Sequence, residues 1–334
     1  MAAAPAAFQL NVSKPAIGNG LRGRVCDNAT APRMKTTSPL TASPVLAWYF
    51  VTVWGSGYLA SKVGLQYAPP FTFLTLRFAV GVVALLPLLI WWHRREPLRF
   101  PATSKEWRHV IVAGVLMHAA NLGASHYSQY LGMSAGVTAL VLATQPLVTA
   151  CIAASFMHER LKPFQWVGVL LGLVGVAFVV WHKIDVRAIS WGAAIAVLIA
   201  LASITAGTLY QRVFCPTVDL RAASIVQFLA SLALLAPLAW AVEGFEVRWS
   251  WALLGAIAFL VILASIFAVN ALHTLMRRGE ATRVTSLLYL TPIMAVILEW
   301  LMFGVVPSAL TVAGIIVTCA GVALVAWNPA RSRA

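Results

Sequence analysis

The chain has 334 residues, of which 60% are hydrophobic and only 10% charged. Soluble proteins usually carry about a quarter charged residues, so this composition excludes an ordinary water-soluble domain and points to a lipid solvent. The formal net charge of +14 would suit a nucleic-acid binder, but the basic residues are distributed as membrane topology requires, and no nucleic-acid partner is expected.

Residues 1–42 are rich in Ala, Pro, Ser, Thr and Asn and hold no apolar core. They read as a disordered cytoplasmic tail rather than a secretory signal or a spanning segment. Met34, just upstream of the first apolar stretch, is an alternative start of translation. Ten apolar windows follow, at 44–64, 72–92, 109–130, 135–156, 163–181, 191–211, 220–242, 251–275, 281–303 and 308–327. Each is long enough to cross a ~30 Å hydrocarbon core as a helix. The expected fold is an all-α polytopic membrane protein with ten transmembrane helices.

With the N-terminus placed in the cytoplasm, nineteen of the 24 Lys and Arg flank cytoplasmic ends of these spans, Arg94, Arg95, Arg99, Lys105 and Arg108 among them. Four flank outer ends (Lys62, Lys183, Arg187 and Arg248), and Arg77 lies within span 2. An excess of Lys and Arg on one side orients membrane proteins, so both termini are expected in the cytoplasm.

The chain also repeats itself. At an offset of 146 residues, 135–181 overlays 281–327 without a gap, matching Leu142 with Leu288, Pro146 with Pro292, Gly168 with Gly314, Gly175 with Gly321 and Trp181 with Trp327. At an offset of 150, Gly57 meets Gly207, Lys62 meets Arg212, Arg77 meets Gln227, Phe78 meets Phe228 and Pro87 meets Pro237. Two copies of a five-span unit follow, 44–181 and 190–327, with 328–334 as a C-terminal cytoplasmic tail. Because five is odd, the second copy enters the membrane upside down. Such inverted repeats are characteristic of secondary transporters.

Polar groups recur inside the spans. Pro146 and Pro292 fall midway along spans 4 and 9, and each deprives a leucine carbonyl, Leu142 or Leu288, of its usual donor. Such backbone is either re-satisfied by neighbours, here Thr144 or Thr291, or lines a wet cavity. Span 3 places His118, Asn121, Ser125 and Gln129 on one face. Span 4 aligns Thr138, Gln145 and Thr149, and span 9 aligns Thr285, Tyr289, Pro292 and Glu299; Gln227, Asn270 and His273 come from spans 7 and 8. A lone polar residue in a span is usually interhelical glue worth ~0.6–2 kcal/mol. Three stripes together point to a central aqueous pocket.

Glu299, the one acid well inside a span, is either a proton-coupling carboxylate or a side chain reaching the outer interface. Arg77 and Lys62 lie towards the same side, and either snorkel or form a cationic mouth for a carboxylate or phosphate. Gly168, Gly172 and Gly175 let span 5 approach a neighbour closely. Cys26, Cys151, Cys215 and Cys319 are scattered, with neither metal-ligand nor disulfide spacing, and no cofactor is expected.

Three motifs stand in order along the chain: WGSGYLASKVGLQYAPPFTFLTLRF (54–78), SAGVTALVLATQP (134–146) followed by HERL (158–161), and RRGEATRVTSLLYLTP (277–292). Through them the chain resembles the EamA-type members of the drug/metabolite transporter superfamily, over about 44–181 and 190–327. The resemblance implies a ten-helix inverted repeat, a central cavity between the halves, and export of small metabolites, amino acids or drugs. Trp54, Lys62, Arg77, Glu159 and residues 279–282 match the family pattern, with Glu159 in a cytoplasmic loop. The family's second half usually carries Gly-Glu after its proline helix; here Gly304 is followed by Val305. A mechanism needing that glutamate in both halves is therefore not expected. The resemblance also implies a multi-pass protein of a plasma membrane, the inner membrane of a bacterium.

The leading expectation is a secondary carrier, not an enzyme, exporting a small zwitterionic or amphipathic metabolite by alternating access, with proton coupling through Glu299 as an option. The alternative is a carrier of phosphorylated or nucleotide-linked solutes using Arg77 and Lys62 as anion clamps. An intramembrane transferase is a distant third, because no internal connection is long enough to hold a catalytic domain.

Overall fold

The computed structural model describes residues 42–95, 97–156, 162–185, 190–216, 218–267 and 290–326. Every regular element among them is helical, as hydrocarbon demands of a chain that must satisfy its own backbone. In order they are α1 (Ala42–Gly64), α2 (Pro70–Arg95), α3 (Ser104–Gly114), α4 (Asn121–Tyr130), α5 (Ala135–Leu142), α6 (Gln145–Phe156), α7 (Pro163–Asp185), α8 (Trp191–Phe214), α9 (Leu220–Glu243), α10 (Trp251–Ala258), α11 (Thr291–Phe303) and α12 (Ala309–Ala326). A π-helical turn, Val115–Ala120, joins α3 to α4, and a second π-helical stretch, Phe259–Phe267, continues α10. Among the described residues, five stretches, in α2, α5–α6, α7, α8 and α9, are long and apolar enough to cross a membrane.

Side chains are distributed inside out relative to a soluble protein. Val83, Leu170, Trp240, Trp251 and Leu301 are exposed, whereas Arg77, His118, Ser128, Thr138 and Glu299 are each at most 3% exposed. Apolar surface costs nothing against lipid, while polar groups must turn inwards. Helix starts are set by short polar side chains: Thr103, Ser134, Ser190 and Ser250 each accept the N–H three residues on, filling donors the helix leaves open.

Helices α7 and α12 run antiparallel with their backbones in contact. A Cβ on Gly168 would lie 2.6 Å from the Gly321 carbonyl oxygen, and one on Gly175 would lie 3.2 Å from that of Gly314. The 146-residue offset carries the first pair onto the second, a local twofold relation between the copies. Phe78 on α2 and Phe228 on α9, matched by the other offset, meet edge to face at 5.2 Å.

The expected single helix over 135–156 is instead two. A turn at Ala143–Thr144 separates α5 from α6, and Pro146 sits in the first turn of α6, where its missing N–H is harmless. Thr144 folds its hydroxyl back onto the Val141 carbonyl (2.6 Å) rather than onto that of Leu142. Pro146 thus begins a helix rather than kinking one, and Pro292 stands in the first turn of α11. The helix expected from 109 begins five residues earlier, because Thr103 caps it at Ser104. Asn270, His273, Thr285, Tyr289, Glu159, residues 279–282, the tail 1–41 and residues 327–334 lie outside the described residues.

Candidate functional site

The polar face of α3–α4 turns towards α2 and α9. Gly114 allows this, for a Cβ there would meet the Gln227 Cα at 2.6 Å. His118, in the π-helical turn, brings Nε2 to 3.2 Å from Gln227 Oε1, and Gln227 Nε2 donates to Gln211 Oε1 at 3.0 Å. Phe78 and Phe228 pack their rings edge-on to the same imidazole, at 6.1 and 5.2 Å. Ser231 donates to the carbonyls of Gly114 and Gln227. The layer is thus anchored on its α9 side.

Its other side is not. His118 Nδ1, Asn121 Oδ1, Ser128 Oγ and both amide atoms of Gln129 are buried without a hydrogen-bond partner. So is Nη1 of Arg77, a residue 3% exposed on α2. His126 belongs to the same group; its ring nitrogens also lack a partner, with the Leu122 carbonyl near the ring but outside hydrogen-bond geometry. The Arg77 charge is close enough to act on both His118 and His126, which stand eight residues apart, about 12 Å along the helix. A concentration of buried, unsatisfied groups in one place marks water or a ligand site. Sequence reasoning found His118, Asn121 and Gln129 by their shared face but missed His126 and Ser128, which lie off that stripe. A second histidine in an apolar span was the available signal.

The other expected residues fall elsewhere. Glu299, 3% exposed, receives Lys62 Nζ at 2.6 Å and the N–H groups of Ala135 and Gly136 at 3.0 and 2.9 Å. It is therefore buried and paired: it caps α5 and pairs with α1. Lys62 also lies over the Phe303 ring, 4.6 Å from its centre. Glu243, at the end of α9, plays a matching part, accepting from the N–H groups of Phe71 and Thr72 (3.0 and 2.7 Å) and from the Thr72 hydroxyl (2.7 Å). Arg248 completes this side, its N–H donating to the Tyr67 carbonyl at 2.8 Å and its guanidinium to that of Gln66. The ends of α1, α9 and α11 thus meet the starts of α2 and α5 on one face of the bundle.

Gln145 donates to Thr208 Oγ1 on α8 (3.1 Å), and Thr149 keeps an unpartnered hydroxyl. Trp54 packs against Phe50, and the neighbouring Gly55 brings α1 against Met294 and the Thr291 carbonyl at the start of α11. Among the described residues, Gln145 of span 4 makes its hydrogen bond with α8 and Glu299 of span 9 makes its own with α1 and α5. An apolar groove of about 730 Å³ does occur, but it lies between α2, α3 and α9 and is lined by Leu89, Leu98, Trp107 and Val226, away from the polar layer.

Helices with an apolar outside and a polar, charge-bearing inside define a multi-pass membrane protein. The EamA-like transporter family model matches residues 43–181 and 190–327, and the chain belongs to that family. Among curated proteins it is similar to the uncharacterized inner membrane transporter YedA of Escherichia coli K12, at 29% identity over 77% of this chain and 85% of that protein. It is also similar to the probable amino-acid metabolite efflux pump of Salmonella typhimurium, at 24% identity over 83% of this chain and 92% of that one. A solved crystal structure shares the fold at a TM-score of 0.60 and 18% identity, covering 85% of this chain and 96% of its own.

Proposed function

We propose that this protein is a secondary transporter that exports a small metabolite from the cytoplasm by alternating access. In this reading ten transmembrane helices form two inverted five-helix repeats, with both termini cytoplasmic. The glycine pairs of α7 and α12 support the inverted relation, since the sequence offset exchanges them. The observation that carries the transport reading is the buried group around Arg77, His118 and Gln129, whose unused polar atoms suit a hydrated or occupied site between the helices. Relatives described as transporters favour a carrier over an enzyme, and the Salmonella relative's description favours amino-acid-like cargo leaving the cell.

The contacts of Glu243, Glu299 and Arg248 suit a closed outer face. A proton carrier at Glu299 would have to give up three donors, so in this reading the residue serves closure first. The clamp for phosphorylated solutes loses support because Lys62 is already engaged.

Untargeted comparison of intracellular and external metabolites on overexpression tests the proposal. One or a few small metabolites should accumulate outside relative to an empty vector; no difference would count against export. Reporter fusions after residues 185 and 334 should report opposite compartments, and agreement between them would exclude the inverted repeat.

A further inference from the structure

We infer that Arg77 is the residue that recognises substrate, and that it selects solutes carrying a single carboxylate; this rests on the transport reading above. Arginine inside a spanning helix is rare and ordinarily paired, because a buried ion without a partner is among the costliest arrangements a protein can hold. Arg77 is buried on α2, its Nη1 touches no acceptor, and no ion pair to it occurs among the described residues. The two acids that cap helices on the adjoining outer face are committed elsewhere, Glu299 to Lys62 and the start of α5, Glu243 to the start of α2, and Glu246 beside them is exposed. Among the described residues Arg77 thus has no acid to pair with, and an anionic solute would supply one.

The size of that anionic charge follows from counting. With the histidines neutral, the buried layer around Arg77 carries one positive charge, and its other members (His118, Asn121, Ser128 and Gln129) are uncharged. A carboxylate balances that charge, whereas a phosphate monoester, at about −1.5 to −2, leaves negative charge uncompensated in a site shut off from water. The planar guanidinium also matches a carboxylate with two parallel hydrogen bonds. The acceptors left over, Asn121 Oδ1 and Gln129 Oε1, suit a neutral donor such as a hydroxyl on the same solute.

The repeat adds an independent observation. The offset that matches Phe78 with Phe228 places Gln227 where the first half has Arg77. Gln227 is spent on His118 and Gln211, so one half supplies the charge and the other a neutral wall. His118 stands in a π-helical turn, a distortion that recurs at functional sites.

The test uses proteoliposomes of the full chain, loaded with the twenty standard amino acids, lactate, the amides of leucine, phenylalanine and threonine, and glucose 6-phosphate. Efflux is followed by mass spectrometry against protein-free vesicles. One or more monocarboxylates should leave, with the amides and the sugar phosphate retained. Arg77→Gln should slow that efflux about ten- to hundredfold, the range for a lost charged hydrogen-bonding partner. Arg77→Lys, keeping the charge but not the fork, should raise KM more than it lowers the maximal rate. Amides or sugar phosphate leaving as fast as the acids would overturn the assignment while sparing transport, and would do so in the wild type, whatever the variants' folding. An Arg77→Gln protein as active as wild type would also overturn it. Release of no solute above the protein-free level would overturn the transport reading itself.

Discussion

Glu299 on α11 and Lys62 on α1 lie 2.6 Å apart across 237 positions of sequence. The carboxylate is 3% exposed and the lysine side chain 27%. Removing one member of a buried pair costs about 3–5 kcal/mol. Lys62→Ala should cost less, about 2–3 kcal/mol, because Ala135 and Gly136 still donate to Glu299. In thermal melts of the purified protein, Lys62→Ala combined with Glu299→Gln should be less destabilised than the sum of the single variants. Strict additivity would show that the pair carries no coupling energy.

Glu243 ties the end of α9 to the start of α2 through three hydrogen bonds. Glu243→Ala leaves those donors open and should cost about 2 kcal/mol, the upper range for a lost helix cap. Hydrogen exchange at residues 71 and 72 should accelerate before the rest of α2 responds. Unchanged exchange there would mean that the cap does not hold the helix start.

The α7–α12 seam predicts a contrast between two glycines. A Cβ on Gly321 would lie 2.5 Å from the Gly168 carbonyl oxygen, whereas nothing lies within 4 Å of one on Gly255. Gly321→Ala should lower stability by roughly 1–3 kcal/mol through overpacking. Gly255→Ala should be neutral or stabilising by up to about 1 kcal/mol, from helix propensity alone. Equal melting shifts would argue against the seam.

Asp219 precedes α9, accepting from the Arg221 N–H at 2.8 Å and from its guanidinium at 2.8 and 3.1 Å. Partial burial pushes its carboxyl upwards, but the Arg221 hydrogen bonds and charge outweigh this and hold it below the usual range. A depressed carboxyl stabilises the fold above its unfolded value and loses that contribution as pH falls through the folded one. Asp219→Asn keeps the cap and removes the charge, so at neutral pH it should cost about 0.5 kcal/mol, a half-exposed pair's worth. Melts repeated below the usual carboxylate range should show the two proteins converging; a gap that persists in acid would contradict the assignment.

Much of the molecule was legible before any coordinates. Apolar windows mark the helices because hydrocarbon leaves a chain few other structures. The matched glycines 168/314 and 175/321 announced the repeat, and they proved to meet across α7 and α12 in the crossed pairs 168–321 and 175–314. The stripe of His118, Asn121 and Gln129 was visible because helical spacing puts those residues on one side. The break before Pro146 was not, since a proline reads the same whether it kinks a helix or begins one. Glu243 looked like an ordinary helix end, and His126 was hidden off the stripe.

Composition and periodicity determined the apolar solvent and the helical class by themselves, because those depend on neighbours a few residues apart. Only the tertiary structure decided how the charges are used. Lys62 and Arg77 look alike in sequence, yet Lys62 meets Glu299 whereas Arg77 has no ion-pair partner among the described residues. That difference arises from which distant helices pack side by side, and a buried charge takes its role from what lies within a few ångströms of it.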